Sequence, residues 1–234
     1  MKKYSAWTRG GRAGSVPAVD ALDSLQTLGE DLLLLAIHPR HGLIMAVQRL
    51  DSGLAGSELV RLAAGQRVDI VGNRIVVLDT TPTGDAELDT ALASIARSRR
   101  TPRMRMWIRR RRRGIRSRYL ARLIAAGAIA RGRRRPLERP RWLITDPVRL
   151  AEVRGRLDTI ACFDGVPDTA DAAFGGLVHA IQLDNDLYHG LGGRNQRKRL
   201  AQIGRAGATA INATVQAVTM ISIQDFTTFP GARF

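Results

Sequence analysis

The feature that most constrains this chain is a segment between Thr90 and Leu137 that contains seventeen arginines and no aspartate or glutamate. The formal net charge of the whole chain is +16, so the remaining residues together carry a charge of about −1 (16 − 17). The basic character therefore belongs to one segment. A segregated charge of this size predicts a polyanionic partner, and the two common ones are nucleic acid and an anionic membrane surface.

Composition predicts a folded, mostly helical protein. Of 234 residues, 44% are hydrophobic but only 5% are aromatic, so aliphatic side chains suited to helices must fill the core. The single cysteine, Cys162, excludes an internal disulfide and fits a reducing compartment. The longest apolar run, Leu32–Ile37, is far shorter than the roughly 20 residues that a membrane-spanning helix needs. Residues 1–19 contain no apolar h-region, so we interpret them as a flexible cytoplasmic tail and not as a signal peptide.

Apolar periodicity predicts helices over Asp23–Ile37 and Leu54–Ala64, of which the first is capped by Asp23 or Ser24 and the second ends at Gly65. Between them lies a short apolar run at 42–47 that tolerates a β conformation. After Gly65, two apolar runs flank Gly72-Asn73. Because both of these residues tolerate positive φ, the pattern predicts a β-hairpin.

The same order of elements recurs later in the chain. Arg61–Gly65 is echoed by Arg122–Gly127, after which Ile129 leads through a basic turn to Trp142–Ile144. Two units of helix, glycine and hairpin resemble tandem winged-helix modules. The sequence therefore predicts a mainly α fold, a single compact helical domain with small β-hairpins in winged-helix-like helix–hairpin units.

The C-terminal part of the chain predicts four helices, and Asp146-Pro147 is typical of a helix start because proline suits the first helical position. The four are a helix from Pro147 through Leu157, a helix capped by Asp168 or Thr169 that runs through Leu183, and helices over Arg194–Gly204 and Ala206–Ile223. Residues 22–223 then form one predicted domain, between an N-terminal tail (1–21) and a C-terminal tail (224–234) that frays.

No motif predicts an enzyme or a cofactor. The four histidines, at 38, 41, 179 and 189, lack the spacing of a zinc site. Asp184-Asn185-Asp186 does not continue into a calcium-binding loop, and Gly190–Gly193 lacks the preceding strand and the spacing of a nucleotide-binding loop. We interpret these as a helix-end loop and a turn.

Within the basic segment, Arg109, Arg113 and Arg116 fall at helical positions i, i+4 and i+7. Beside them runs an apolar stripe that consists of Ile108, Ile115, Tyr119 and Leu123. This spacing predicts one helix whose apolar face packs against the core and whose other face is charged. The alternative interpretation of the charged face is an ordinary solvated helix surface. Because unpaired like charges repel one another, a cluster without acids in the segment is expected to hold an anion. Base readout is disfavoured, since the helix before each hairpin is dominated by alanine and leucine.

Several blocks together resemble the Golgi phosphoprotein 3 family in its bacterial form, and the likeness covers roughly Leu22 to Ile223. The blocks are Leu28–Leu35, Ser52–Val60, Thr81-Pro82-Thr83-Gly84-Asp85 with the following Leu88-Asp89 and Ala91-Leu92, and Trp107-Ile108. The resemblance implies a mainly α-helical domain that binds phosphatidylinositol 4-phosphate at the cytoplasmic membrane face. It also implies a projecting hairpin that supports oligomers and, in eukaryotic members, binding of short cytosolic tails of glycosyltransferases.

The resemblance also implies a head-group site. Two arginines of the family pattern fall on Arg113 and Arg116, and we expect Arg109 and Arg112 to add to the field around them. The tryptophan and the further arginine that complete the family pocket correspond to Ala46 and Ala55 here, which leaves head-group specificity open. The hairpin over 129–144 carries arginines that we interpret as additional membrane contacts or as an exposed polar turn. These are Arg131, Arg133, Arg134 and Arg135.

The predicted function is that of a non-enzymatic peripheral membrane adaptor without a cofactor, at the inner face of the membrane. Its predicted partners are an anionic phospholipid surface, cytosolic tails of membrane proteins and further copies of the chain. The alternative is a DNA-binding protein built on the two winged-helix-like units.

Overall fold

The fold consists of helices with two small antiparallel hairpins, which confirms the predicted mainly α class. The computed structural model describes residues 25–132, 140–162, 165–206 and 209–227. The elements in chain order are α1 (Leu28–Ala36), α2 (Val47–Ala64), β1 (Val68–Val71), β2 (Arg74–Val77), α3 (Ala86–Ala96), α4 (Met104–Arg111), α5 (Ile115–Ala125), β3 (Ile129–Arg131), β4 (Trp142–Ile144), α6 (Pro147–Cys162), α7 (Thr169–Ala180), α8 (Leu183–Leu187), α9 (Arg194–Ala206) and α10 (Thr209–Thr227).

Helix α2 lies at the centre of the molecule. It contacts α1, α3, α4, α5, α7 and α10, and every residue from 52 to 60 is buried. Packing against α10 is close, because a β-carbon at Gly56 would lie 2.7 Å from Cγ2 of Val218. A helix that is enclosed on all sides has no single apolar stripe. The sequence therefore predicted only its second half, from Leu54, whereas the helix begins at Val47.

The two helix–hairpin units have the same pattern of backbone hydrogen bonds, which supports the predicted repeat. After each hairpin, two consecutive main-chain N–H groups donate to the carbonyl oxygen of one residue at the start of the hairpin. These contacts are Leu78 and Asp79 to Arg67 in the first unit, and Thr145 and Asp146 to Ala128 in the second. In the first hairpin Val71 pairs with Arg74 across Gly72-Asn73, and Gly72 alone of these two residues has a positive φ, of 61°.

The basic segment forms two helices and not one, so the prediction of a continuous charged face is wrong. Gly114 has a φ of 70°, a left-handed conformation that glycine adopts without steric penalty, and it separates α4 from α5. Arg109 therefore lies on α4, Arg113 in the turn and Arg116 on α5. The predicted apolar stripe is confirmed, because Ile108, Ile115, Tyr119 and Leu123 are all fully buried.

Two helix ends and one short apolar run also differ from the prediction. The helix predicted to run through Leu183 ends at Ala180, because Gln182 adopts a left-handed conformation before the short helix α8. The apolar run at 42–47 forms a single bridge, between Ile37 and Ile44, and no strand. Helix α10 extends to Thr227, beyond its predicted end at Ile223. The predicted first cap, Asp23 or Ser24, lies outside the described residues.

The predicted starts of α6 and α7 are confirmed by their side-chain caps. Asp146 Oδ1 accepts a hydrogen bond from the Arg149 N–H group at 2.9 Å, and Asp168 Oδ1 accepts one from the Asp171 N–H group at 2.7 Å. Across the part of the chain that the structure describes, none of the helices combines the length and apolarity needed to cross a bilayer.

Asp85 ties three elements together at the end of the Thr-Pro-Thr-Gly-Asp block. Its carboxylate caps α3 by accepting hydrogen bonds from the N–H groups of Glu87 and Leu88. It also forms ion pairs with Arg61 of α2 at 2.8 Å and Arg122 of α5 at 2.7 Å. Burial alone would raise the pKa of Asp85, but the hydrogen bonds and charges of the two arginines outweigh burial and hold its pKa well below the ordinary value. The aspartate of this block of the resemblance therefore has a structural role.

We expect Asp85→Asn to lower the free energy of unfolding by about 3 kcal/mol near neutral pH. Asparagine keeps the cap but leaves the buried guanidinium of Arg61 without its carboxylate and removes one of the two carboxylates that pair with Arg122. A carboxylate with a depressed pKa stabilises the fold above its ordinary pKa of 3.8 and loses that effect as the pH falls through the folded-state pKa. The difference from the wild type should therefore shrink below about pH 4. Urea unfolding at several pH values measures it, with the exposed Asp69→Asn as control. An equal penalty in both variants would contradict the prediction.

Candidate anion-binding site

Arg111, Arg116, Arg118 and Arg122 of the basic segment form ion pairs with carboxylates that lie in other described parts of the fold. The pairs are Arg111 with Glu58 at 2.6 Å and Glu87 at 3.0 Å, Arg116 with Asp51 at 2.7 Å, Arg118 with Glu87 at 2.7 Å, and Arg122 with Glu30 at 2.8 Å and Asp85 at 2.7 Å. These acids lie on α1, on α2 and at the start of α3. The expectation that a segment without acids holds only unpaired arginines is wrong for these four.

The pair between Arg111 and Glu58 anchors the basic helix α4 to the central helix α2. Arg111 donates two hydrogen bonds to the carboxylate, at 2.6 and 2.9 Å, and the Glu58 side chain is completely buried. Burial raises the pKa of Glu58, and the adjacent guanidinium limits that rise. Arg111 also donates to the Glu87 carbonyl oxygen at 3.0 Å. This arginine is therefore a structural residue.

The predicted head-group arginines differ in their surroundings. Arg113 is exposed in the turn before Gly114, and it forms no ion pair with any carboxylate of the described residues. Arg109 is exposed and donates to Gln224 Oε1 of α10 at 2.6 Å. Arg112 is half-buried at the end of α4. Arg116 donates two hydrogen bonds to Asp51, at 2.8 and 2.7 Å, and a third to the Val47 carbonyl oxygen at 3.1 Å.

Arg116 lies in an open groove between α2, α5 and the second hairpin, which we call the α2–α5 groove. Its volume is about 860 Å³. Arg131 and Trp142, which pair in register across β3 and β4, line the groove opposite the helices. Val47 and Ile124 also line it, and both are exposed large apolar side chains. The groove thus combines cationic, aromatic and apolar groups.

Trp142 is a groove residue that the sequence reasoning missed. The predicted hairpin placed it near Arg131 along the chain, but nothing local indicated that both would face α5. Ala46 and Ala55, at the positions where the family pattern has a tryptophan and an arginine, offer no such groups. Ala55 is completely buried within α2, and Ala46 precedes α2 in a left-handed conformation.

Arg113 lines a different concavity from Arg116, so the structure does not bring the two predicted head-group residues into one pocket. We call this second concavity the arginine cleft, and its volume is about 670 Å³. Its floor includes Trp107 and its lining contains seven arginines, which are Arg99, Arg100, Arg103, Arg110, Arg111, Arg113 and Arg118. Arg133, Arg134 and Arg135 of the hairpin turn lie outside the described residues.

Within the described ranges, no group of three or more histidine, cysteine, aspartate or glutamate side chains could hold a metal ion. His179 instead lies 2.7 Å, through Nδ1, from the buried carboxylate of Asp184.

The first helix–hairpin unit also offers no helix for base readout, because residues 52–60 of α2 are enclosed by other helices.

Comparison of the sequence with models of protein families matches residues 28–220 to Golgi phosphoprotein 3 (GPP34). A comparison with curated proteins found no match. The matched range begins at the first residue of α1 and ends within α10, so it includes both helix–hairpin units and both concavities.

Substitution should affect stability differently at the buried, paired Arg111 and at the exposed Arg113. Arg111→Gln should lower the free energy of unfolding by about 4 kcal/mol, because it leaves the Glu58 carboxylate buried without its cation. Arg113→Gln should change it by no more than about 0.5 kcal/mol, because that side chain is exposed. Chemical denaturation of both variants measures the difference. A loss in Arg111→Gln as small as that expected for Arg113→Gln would mean that Arg111 is not a structural residue.

Proposed function

The chain belongs to the Golgi phosphoprotein 3 family, and on that basis we propose that it is a peripheral membrane adaptor that binds anionic phospholipid head groups, with phosphatidylinositol 4-phosphate as a candidate ligand. This family is known for non-catalytic adaptors that bind this lipid. The observation that carries the proposal is the α2–α5 groove, in which Arg116 and Arg131 flank a space large enough for a lipid head group.

In the proposed complex, Arg116 is the principal phosphate ligand. A guanidinium group donates several N–H groups in one plane and so matches the oxygens of a phosphate. Arg131 approaches from the hairpin, and the indole of Trp142 packs against the apolar part of the head group. The exposed side chains of Val47 and Ile124 then enter the boundary between head groups and acyl chains.

The remaining predicted arginines are proposed to act through long-range electrostatic attraction to the anionic membrane surface. Arg113, Arg109 and Arg112 lie within a few residues of Arg116 along the chain, and each basic residue near an anionic surface contributes about 1 kcal/mol. Five engaged arginines therefore supply roughly 5 kcal/mol, which suits reversible attachment without an inserted helix. The hairpin turn arginines, Arg133 to Arg135, are proposed to add to the same contact.

The groups that would contact a head group in the α2–α5 groove differ from those of the family pattern. With alanine at 46 and 55, the aromatic and the second cation of the groove come from Trp142 and Arg131. Asp51 remains paired with Arg116 and lowers the positive potential of the groove. We therefore propose affinity for anionic head groups in general, at the cytoplasmic face of a membrane, where cytosolic tails of membrane proteins and further copies of the chain are the proposed protein partners.

We expect Arg113→Ala/Arg116→Ala to weaken binding to phosphatidylcholine vesicles that contain phosphatidylinositol 4-phosphate by at least about tenfold, from roughly 1 kcal/mol per lost cation. Co-sedimentation measures the bound fraction. The matched control is Arg40→Ala/Arg205→Ala, which removes the same charge from exposed positions outside the groove and the cleft. The site assignment fails if both double variants bind like the wild type.

Duplex DNA as competitor tests the alternative, DNA-binding function. That function gains support if DNA binds tightly near physiological salt and lipid does not.

Asp51→Asn should strengthen vesicle binding by about fivefold, because it removes the carboxylate that neutralises Arg116 and so adds about one positive charge near the surface. The gain should disappear in Asp51→Asn/Arg116→Ala if Arg116 is the group that responds. Titration of vesicles at one fixed salt concentration measures the affinity of each protein. Unchanged or weaker binding of Asp51→Asn would show that Arg116 does not contact lipid.

A further inference from the structure

The arginine cleft has an unusual charge. Within the described residues, Arg111 and Arg118 are the only two of its seven arginines that form ion pairs, with Glu58 and Glu87, and no described aspartate or glutamate lines the cleft. The other five contact no carboxylate among the described residues. These five, Arg99, Arg100, Arg103, Arg110 and Arg113, are all exposed. Guanidinium groups that share one concavity repel one another unless an anion lies between them.

The walls of the cleft are held in place by hydrogen bonds between neighbouring elements of the fold. Trp107 Nε1 donates to Ser94 Oγ at 2.9 Å, which joins α4 to α3. The loop that carries Arg99, Arg100 and Arg103 is tied to the first hairpin by three hydrogen bonds. These are Ile75 N–H to the Pro102 carbonyl at 3.0 Å, Met104 N–H to the Asn73 carbonyl at 3.0 Å, and Arg74 Nη1 to the Thr101 carbonyl at 2.8 Å. The cationic loop therefore needs little ordering when a ligand binds.

We propose that the arginine cleft is a second anion-binding site, separate from the α2–α5 groove, that takes a compact ligand bearing two or three phosphate groups. One phosphate monoester carries about 1.5 to 2 negative charges at neutral pH. Five unpaired guanidinium groups therefore match two or three phosphates better than one. A volume of about 670 Å³ fits a small molecule, since such pockets range from about 300 to 1,000 Å³.

The ligand chemistry has two sources, a phosphorylated inositol and a free polyphosphate. Isothermal titration calorimetry of the full chain without membranes, using inositol 1,4,5-trisphosphate, inorganic triphosphate and inorganic phosphate as separate probes, distinguishes them. The test variant is Arg99→Gln/Arg103→Gln/Arg110→Gln, which leaves Arg113 and Arg116 unchanged. The matched control, Arg40→Gln/Arg194→Gln/Arg205→Gln, removes the same charge from exposed positions that line neither concavity.

We expect one equivalent of either trisphosphate probe to bind the wild type and the control, and the cleft variant to bind at least about tenfold more weakly. Inorganic phosphate should bind at least tenfold more weakly than inorganic triphosphate. Tighter binding of the inositol compound identifies a head group, and tighter binding of inorganic triphosphate identifies free polyphosphate. The proposal is overturned if the cleft variant binds like the wild type, if the control loses as much, or if none of the three probes binds the wild type. If the triple variant fails to fold, Arg99→Gln/Arg103→Gln replaces it.

The two sites fail independently. Arg116→Ala should lose vesicle binding and keep trisphosphate binding, because Arg116 does not line the cleft. Loss of trisphosphate binding in Arg116→Ala, with the melting temperature unchanged, would show that the cleft is not a separate site. A wild type that binds vesicles but no soluble trisphosphate would overturn the cleft and leave the proposed function intact.

Discussion

The buried ion pair between Glu58 and Arg111 determines where the basic surface of this protein lies. Glu58 sits in the enclosed part of α2, where an unpaired carboxylate would be strongly destabilising, and only a guanidinium with two hydrogen bonds compensates for its burial. That contact holds α4 against α2. The position of α4 in turn sets which way Arg110 and the following turn face, so one internal cation positions the external ones.

Much of the fold follows from local pattern. The hairpin at Gly72-Asn73, the proline start of α6 and the buried stripe on α4 and α5 all depend on residues a few positions apart, so periodicity and turn chemistry predict them. The ion pairs of the basic segment could not be predicted in this way. Asp51 and Arg116 are separated by 65 residues, and no local signal pairs them. Charge counts along a segment therefore overestimated the number of free cations.

The candidate groove was predictable only in part. The resemblance identified Arg116, and hairpin register could have paired Arg131 with Trp142. That these two residues would face α5 depends on how the second hairpin packs, which is a tertiary property. The division between Arg113 and Arg116 was not predictable either, because a glycine inside a helical pattern destabilises a helix by only about 1 kcal/mol and does not by itself indicate a break.

In the proposed complexes, Gly114 determines the kind of anion that the basic segment recognises. A residue with a side chain would need about 1 to 2 kcal/mol to adopt the left-handed conformation found there, which favours continuation of α4 into α5 as a single rod. On such a rod the guanidinium groups would form a ladder suited to a long, repetitive polymer. The break at glycine instead divides these arginines between two concave surfaces, so that the proposed selection depends on the size and shape of a discrete molecule and not on linear charge density alone.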